Sequence, residues 1–144
     1  MNIEKYWAAV LKQDAVKMRE FLDDKAYINW HDSNEHFTAE EYIRANCEYP
    51  CEWAGVIERV EEIGDLIVTA VNVFTTDIEM SFHVVSFIKL KDDKIVAIDE
   101  YWGAETKAPK WRIEKKLGTA IKKISDFTRK PQQKRLQHGG KEEK

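Results

Sequence analysis

The sequence has no long hydrophobic run and no leader-like start, and both absences bear on where in the cell the protein is expected. No apolar stretch in the 144 residues reaches the roughly 20 positions needed to cross a bilayer. Residues 1–5 lack the pattern of a signal peptide. We therefore expect a soluble, cytoplasmic protein with no membrane partner.

Cysteine and the common cofactor motifs are also scarce. Cys47 and Cys51 are the only two cysteines, and no second Cys or His pair completes a zinc set, so we interpret them as reduced structural thiols. His–carboxylate pairs at 31–32 and 35–36 follow no known ligand spacing, so no metal is predicted. Nucleophile elbow, phosphate loop and dinucleotide fingerprint are all missing, and no cofactor is expected.

The net charge of −3 hides an asymmetry along the chain. Residues 1–109 hold 11 basic and 22 acidic side chains, whereas residues 110–138 hold 10 basic and 2 acidic ones. A basic segment can bind nucleic acid, but the acidic body would repel phosphate. We therefore predict no nucleic-acid partner, with the basic segment lying against the body or solvated.

The order of periodic segments predicts an α+β domain. Helical spacing covers 2–11, a second helix starts after Asp14, and a capping box at 38–41 starts a third that ends near Pro50. A short strand is predicted at 26–30. After Pro50 the period becomes two, which predicts antiparallel strands at 53–61, 66–75, 78–90 and 94–102. We assign 1–128 to one domain, with a last helix at 119–128, and 129–144 to a polar tail.

The last two strands carry ionisable residues where one sheet face should be apolar. Asp92-Asp93 reads as the two-residue turn between them. In that register Lys91 pairs with Lys94 and His83 with Trp102. Because side chains alternate faces, one inward surface is predicted to hold His83, Val85, Phe87, Ile98, Glu100 and Trp102.

A His and a Glu among aromatic residues resemble a pocket more than a plain core. Further residues predicted to line it are Trp7, Trp30, Tyr42, Asn46, Trp53 and Asn72. The opposite, outer face would then show Phe82, Val84, Ile88 and Tyr101, which is apolar enough to join two copies as a homodimer.

Several segments resemble the nuclear transport factor 2-like superfamily, in particular its SnoaL-like and ketosteroid isomerase-like members. They are 5–10 with Asp14, 21–24, the helix at 38–46 and the strand at 94–103. The resemblance implies a cone-shaped cystatin-like roll, in which N-terminal helices cover the concave face of a curved, mixed or antiparallel sheet. It also implies a deep pocket and frequent dimers, but no single function.

Only some of the catalytic residues of these families have a chemically equivalent residue in this sequence. Tyr6 matches the tyrosine of ketosteroid isomerases that donates a hydrogen bond to the developing enolate. The general-base aspartate of that family falls at Trp30 and its protonated aspartate at Val85, so steroid isomerisation by that mechanism is not expected. Glu100 falls where epoxide hydrolases of this fold place a pocket aspartate, although Asp99 replaces the arginine of their motif.

Two hypotheses remain from the sequence. In the first, the pocket binds a small cyclic or aromatic molecule and supports cofactor-free acid–base chemistry. Glu100 is then the base, His83 the acid or orienting partner and Tyr6 a hydrogen-bond donor. In the second, His83 and Glu100 form a buried polar pair and the fold is a non-catalytic binding or dimerisation module.

Overall fold

Four helices are present in the computed structural model, which describes residues 1–121 and the backbone of 135–137. They are α1 (Ile3–Lys12), α2 (Ala15–Phe21), α3 (Ala39–Cys47) and α4 (Lys110–Glu114). Side-chain caps start the first three: Asn2 and Asp14 each accept a backbone N–H, and Thr38 forms a capping box with Glu41. Local sequence rules therefore place these helix starts correctly.

Seven strands form a single curved, mixed sheet. Their bounds are β1 (Leu22–Trp30), β2 (Glu35–Thr38), β3 (Trp53–Ile63), β4 (Leu66–Thr75), β5 (Ser81–Lys91), β6 (Lys94–Ala104) and β7 (Arg135–Gln137). The order across the sheet is β2-β1-β6-β5-β4-β3-β7. Every neighbouring pair is antiparallel except β1 with β6, which is parallel. The α+β roll predicted from the sequence is confirmed, and β2 is an element that the prediction omitted.

The N-terminal helices pack against one face of this sheet and enclose the main core. Trp7 of α1 is buried and its indole Nε1 donates to Thr69 Oγ1 of β4 at 3.3 Å. Gly55 of β3 permits this close packing, because a Cβ there would lie 3.0 Å from the Asn72 carbonyl oxygen and 3.0 Å from a Leu11 methyl carbon. The close approach of α1 to β3 therefore depends on glycine, which has no side chain, at position 55.

Two of the predictions fall at the C-terminus. The helix expected at 119–128 and the tail expected at 129–144 lie largely outside the described residues. Within the described part, α4 lies between the predicted strand at 94–102 and the predicted helix at 119–128, in a stretch to which the sequence analysis assigned no element. No described helix is long and apolar enough to cross a membrane.

The predicted register between β5 and β6 holds at the turn and fails beyond it. Lys91 pairs with Lys94 as expected, and Asp92 and Asp93 have φ of 52° and 64°, the left-handed values of a tight hairpin turn. The ladder then shifts, because Lys89 pairs with Ala97 whereas Leu90 pairs with Ile95. One extra residue in β6 is a β-bulge, and it exchanges the two faces of β5 relative to β6.

The expected inward surface is therefore wrong for β5. Ser86, not Val85, lies opposite Glu100, and Val84, not His83, lies opposite Trp102. Val84, Ser86 and Ile88 are fully buried against the helices, while Val85 and Phe87 are 37% and 39% exposed on the other face. The prediction that Phe82, Val84 and Ile88 form the outer face is wrong for the same reason.

Candidate functional site

An aromatic cavity of about 370 Å³ opens between α1, α3 and the ends of the central strands. Among the residues predicted to bind a ligand, Trp7, Trp30, Asn46, Trp53 and Trp102 line it. The other lining residues are Val10, Leu11, Asp32, Ala45, Tyr49, Val73, Phe82, Gly103 and Ala104. Of these fourteen described lining residues, six are aromatic and one is charged, a composition typical of a small-molecule site.

The aromatic side chains contact one another around the cavity. Trp30 and Trp102 have ring centroids 6.4 Å apart, and Phe82 lies 6.2 Å from Trp102 and 6.0 Å from Trp53. Tyr49 continues the series at 5.4 Å from Trp53. Three of these contacts are edge-to-face and the Trp53–Phe82 pair is tilted, and edge-to-face contacts are favourable. The rings therefore form a preorganised wall.

Glu100 lies directly behind this wall. Its side chain is buried, with 1% exposed, and it is absent from the cavity lining. Its Oε1 accepts hydrogen bonds from the indole N–H groups of Trp30 and Trp102, both at 3.0 Å, and its Oε2 accepts one from the Ser86 hydroxyl at 2.7 Å. Glu100 therefore anchors two cavity rings from the protein side.

The electrostatics of Glu100 follow from its burial. Removal from water raises the pKa of its carboxyl, and the hydrogen bonds from Ser86, Trp102 and Trp30 act in the opposite direction. The nearby negative charge of Asp32 raises that pKa further. Three hydrogen-bond donors thus stabilise the ionised form of Glu100, whereas burial and the charge of Asp32 destabilise it.

Tyr6 and Tyr42 form a second buried polar pair. Their hydroxyl oxygens are 2.8 Å apart in a hydrogen bond, and neither residue lines the cavity. Burial, followed by the charge of Glu100, raises the pKa of Tyr6 far above its ordinary value. Burial raises the pKa of Tyr42 as well. Both phenols therefore stay protonated, and the Tyr6 hydroxyl, predicted to donate to a ligand, is hydrogen-bonded to Tyr42 away from the cavity lining.

Four residues predicted for the pocket lie elsewhere. His83, Val85 and Phe87 are on the outer face of β5, and Ile98 is fully buried in the core. His83 Nε2 contacts Glu105 Oε1 at 2.9 Å, so the expected pair of His83 with Glu100 does not form. The bulge in β6 is the physical reason for this separation.

Asn72 is also misplaced by the sequence analysis. Its amide nitrogen donates to Ser81 Oγ and to the Phe82 carbonyl, both at 2.9 Å. Asn72 pairs with His83 in the ladder between β4 and β5, whereas its neighbour Val73 lines the cavity. Asn72 therefore ties two strands together on the opposite face.

Among the nine lining residues that the sequence analysis did not predict, Asp32 is the charged one. It lies two residues beyond Trp30, in the tight turn between β1 and β2, and no other described lining residue is charged. Its Oδ1 accepts a long hydrogen bond of 3.4 Å from the Trp102 backbone N–H. The sequence did contain a signal for Asp32. It follows closely after the predicted strand at 26–30, and the last residue of that strand, Trp30, was predicted to line the pocket. Within residues 1–121 no group of three His, Cys, Asp or Glu side chains is arranged to hold a metal ion.

Comparisons with known proteins identify the fold. Protein-family models and curated proteins gave no match. Among solved structures, a ketosteroid isomerase candidate from Kribbella flavida has a TM-score of 0.70 at 19% identity, covering 85% of this chain and 88% of that chain. An NTF2-like protein of unknown function from Burkholderia xenovorans has a TM-score of 0.67 at 20% identity, covering 83% of this chain and 92% of that chain.

A third structure of this kind has a named activity. It is a LEH-like epoxide hydrolase from M. tuberculosis, with a TM-score of 0.58 at 13% identity, covering 70% of this chain and 79% of that chain. Identities this low support the fold and leave the activity open. The chain therefore has the nuclear transport factor 2-like fold, which it shares with ketosteroid isomerase-like and SnoaL-like proteins.

Proposed function

We propose that the protein binds a small ring-containing molecule in the aromatic cavity. The observation that carries this proposal is the cavity itself, with about 370 Å³ of space and six aromatic residues among its fourteen lining residues. Flat apolar walls of Trp and Phe gain dispersion and burial energy from a cyclic ligand. Trp7 and Trp53 are almost fully buried, so these walls are held rigidly before a ligand arrives.

The positions of Glu100 and Tyr6, the two groups first expected to react, favour ligand binding over acid–base catalysis. Both oxygens of Glu100 already accept donors from Trp30, Trp102 and Ser86. A general base must come within hydrogen-bond reach of its substrate, and neither Glu100 nor Tyr6 lines the cavity. The carboxylate that does reach the cavity is Asp32.

The test compares ligand binding in wild type with a variant whose cavity is partly filled. Ala45 of α3 lines the cavity, and Ala45→Phe adds a ring to it; Ala108→Phe is the matched control in an exposed segment outside the lining. Saturation-transfer NMR would be recorded with 2-naphthol and menthol as neutral aromatic and alicyclic probes. We expect binding to wild type and to Ala108→Phe, and its loss in Ala45→Phe.

Two outcomes would contradict the proposal. One is the absence of binding by wild type to either probe, together with native mass spectrometry that detects no co-purified small molecule. The other is equal binding by Ala45→Phe and wild type, which would place the ligand elsewhere. Retained far-UV circular dichroism in both variants separates either outcome from misfolding.

A second candidate role is self-association through the outer face of the sheet. Phe87 and Tyr101 have ring centroids 6.1 Å apart there, and with Val85 they form an exposed apolar patch. Patches of this kind favour burial against a partner. We expect Phe87→Asp to shift a homodimer to monomer in light scattering after size exclusion, whereas Lys89→Asp, two residues along the same exposed face, keeps the dimer. An unchanged mass for Phe87→Asp would contradict this role.

A further inference from the structure

Four lining residues, Trp7, Trp30, Asn46 and Trp102, have side-chain N–H groups that already donate within the protein. The indole N–H groups of Trp30 and Trp102 both donate to Glu100, and that of Trp7 donates to Thr69 Oγ1. The Asn46 amide nitrogen donates to the Val10 carbonyl at 2.9 Å and contacts Met18 Sδ at 3.3 Å. These four lining residues therefore offer few N–H groups to an anionic or carbonyl-bearing ligand.

Two kinds of group in the described lining attract positive charge. Asp32 supplies a carboxylate, the one charged group among the described lining residues. The aromatic rings supply π-faces, whose quadrupoles attract a cation placed over them. No Lys, Arg or His is present among the fourteen lining residues that the structure describes.

Glu100 strengthens this polarity from behind the wall. When its carboxyl is ionised, Glu100 accepts both indole N–H groups at 3.0 Å and increases the electron density of the Trp30 and Trp102 rings.

From this arrangement we propose that the cavity selects an organic cation, namely an amine or quaternary ammonium that carries an apolar ring, with its charge between the Trp30 and Trp102 rings and Asp32. The inference rests on the proposed function, because it names the chemical class of the molecule that the cavity binds. It specifies the charge of the ligand, which the proposed function leaves open.

Charge selection is tested with matched probes that differ only in charge. Phenyltrimethylammonium and tert-butylbenzene have nearly the same shape, and phenylacetate serves as an anionic ring compound. Dissociation constants would be measured by tryptophan fluorescence and by isothermal titration calorimetry. We expect the ammonium to bind about tenfold more tightly than its neutral isostere, and phenylacetate to bind most weakly.

Two variants locate the charge effect. Asp32→Asn should weaken binding of the ammonium about fivefold or more, and leave tert-butylbenzene unchanged. Asp24→Asn removes the same charge from an exposed position of β1 outside the lining, and it should leave both constants unchanged.

The outcomes separate this inference from the proposed function. Equal or tighter binding of tert-butylbenzene would overturn the selection of cations while the proposed function stands. An ammonium preference that survives Asp32→Asn, or that falls equally in Asp24→Asn, would overturn the assigned position of the charge. Failure of every probe to bind would overturn both proposals together.

Discussion

Removal of the Glu100 acceptor should destabilise the fold much more than removal of its charge. The comparison is between Glu100→Leu, which deletes both oxygens, and Glu100→Gln, which keeps one carbonyl oxygen in place. Three donors depend on these oxygens: the indole N–H groups of Trp30 and Trp102 and the Ser86 hydroxyl. Glu100 is 1% exposed, so water does not replace it easily.

The size of the effect follows from the donors left behind. A buried donor without a partner costs about 1–3 kcal/mol, and the two indole N–H groups are fixed by ring packing, whereas the Ser86 hydroxyl can rotate. The Leu variant should therefore lose about 2–6 kcal/mol of unfolding free energy. The Gln variant can accept both indole donors and donate to Ser86 Oγ, so its loss should stay within about 1 kcal/mol.

Urea denaturation followed by far-UV circular dichroism measures both values. This probe is preferable to tryptophan fluorescence, because the substitutions change the environment of two of the reporting indoles. Equal urea midpoints for the Leu and Gln variants, at unchanged slopes, would refute the argument, because water would then be satisfying the indole donors. A Leu variant that fails to fold beside a folded Gln variant would agree with it.

Three further outcomes follow from individual contacts. Gly55→Ala should lower the free energy of unfolding by about 1 kcal/mol or more in urea denaturation, because the added Cβ meets a backbone oxygen at 3.0 Å; unchanged stability would show that α1 shifts freely. Thr38→Ala should cost about 1 kcal/mol by the same assay through loss of the capping box, and Thr38→Ser should restore most of it. Glu100 has a raised pKa in the folded state, so its stabilising contribution is fully present below the unfolded pKa and is lost as pH rises through the folded pKa. The urea midpoint of wild type should therefore fall relative to that of Glu100→Gln over this pH window, and parallel pH profiles would contradict the shift.

The elements predicted best are those governed by local rules. The capping box at Thr38 and the αL turn at Asp92-Asp93 each depend on residues within a few positions. β4 was predicted at its observed bounds, Leu66–Thr75. The parallel pairing of β1 with β6 joins residues about 70 positions apart, and nothing in either segment specifies that partner.

The faces of β5 were unpredictable for a specific reason. Both of its alternating sets contain apolar residues, with Val84 and Ile88 in one and Val85 and Phe87 in the other. Hydrophobic alternation alone therefore does not determine which of the two sets faces the helices. The register of β5 with β6 determines it. One bulge residue in β6 reverses that choice. The structure shows the effect of this bulge in β6, where Ile95 and Ile98 are both fully buried although a regular strand would place them on opposite faces.

The position of Glu100 shows why an inward carboxylate is not in itself a catalytic residue. The sequence correctly places Glu100 toward the helices, but the two nearest indoles turn their N–H edges to it and close it off from the cavity. Its raised pKa then reflects burial inside a satisfied hydrogen-bond network, which structural carboxyls share with catalytic ones. What distinguishes the two roles is access to the cavity, and among the described carboxylates it is Asp32, in the turn after β1, that lines it.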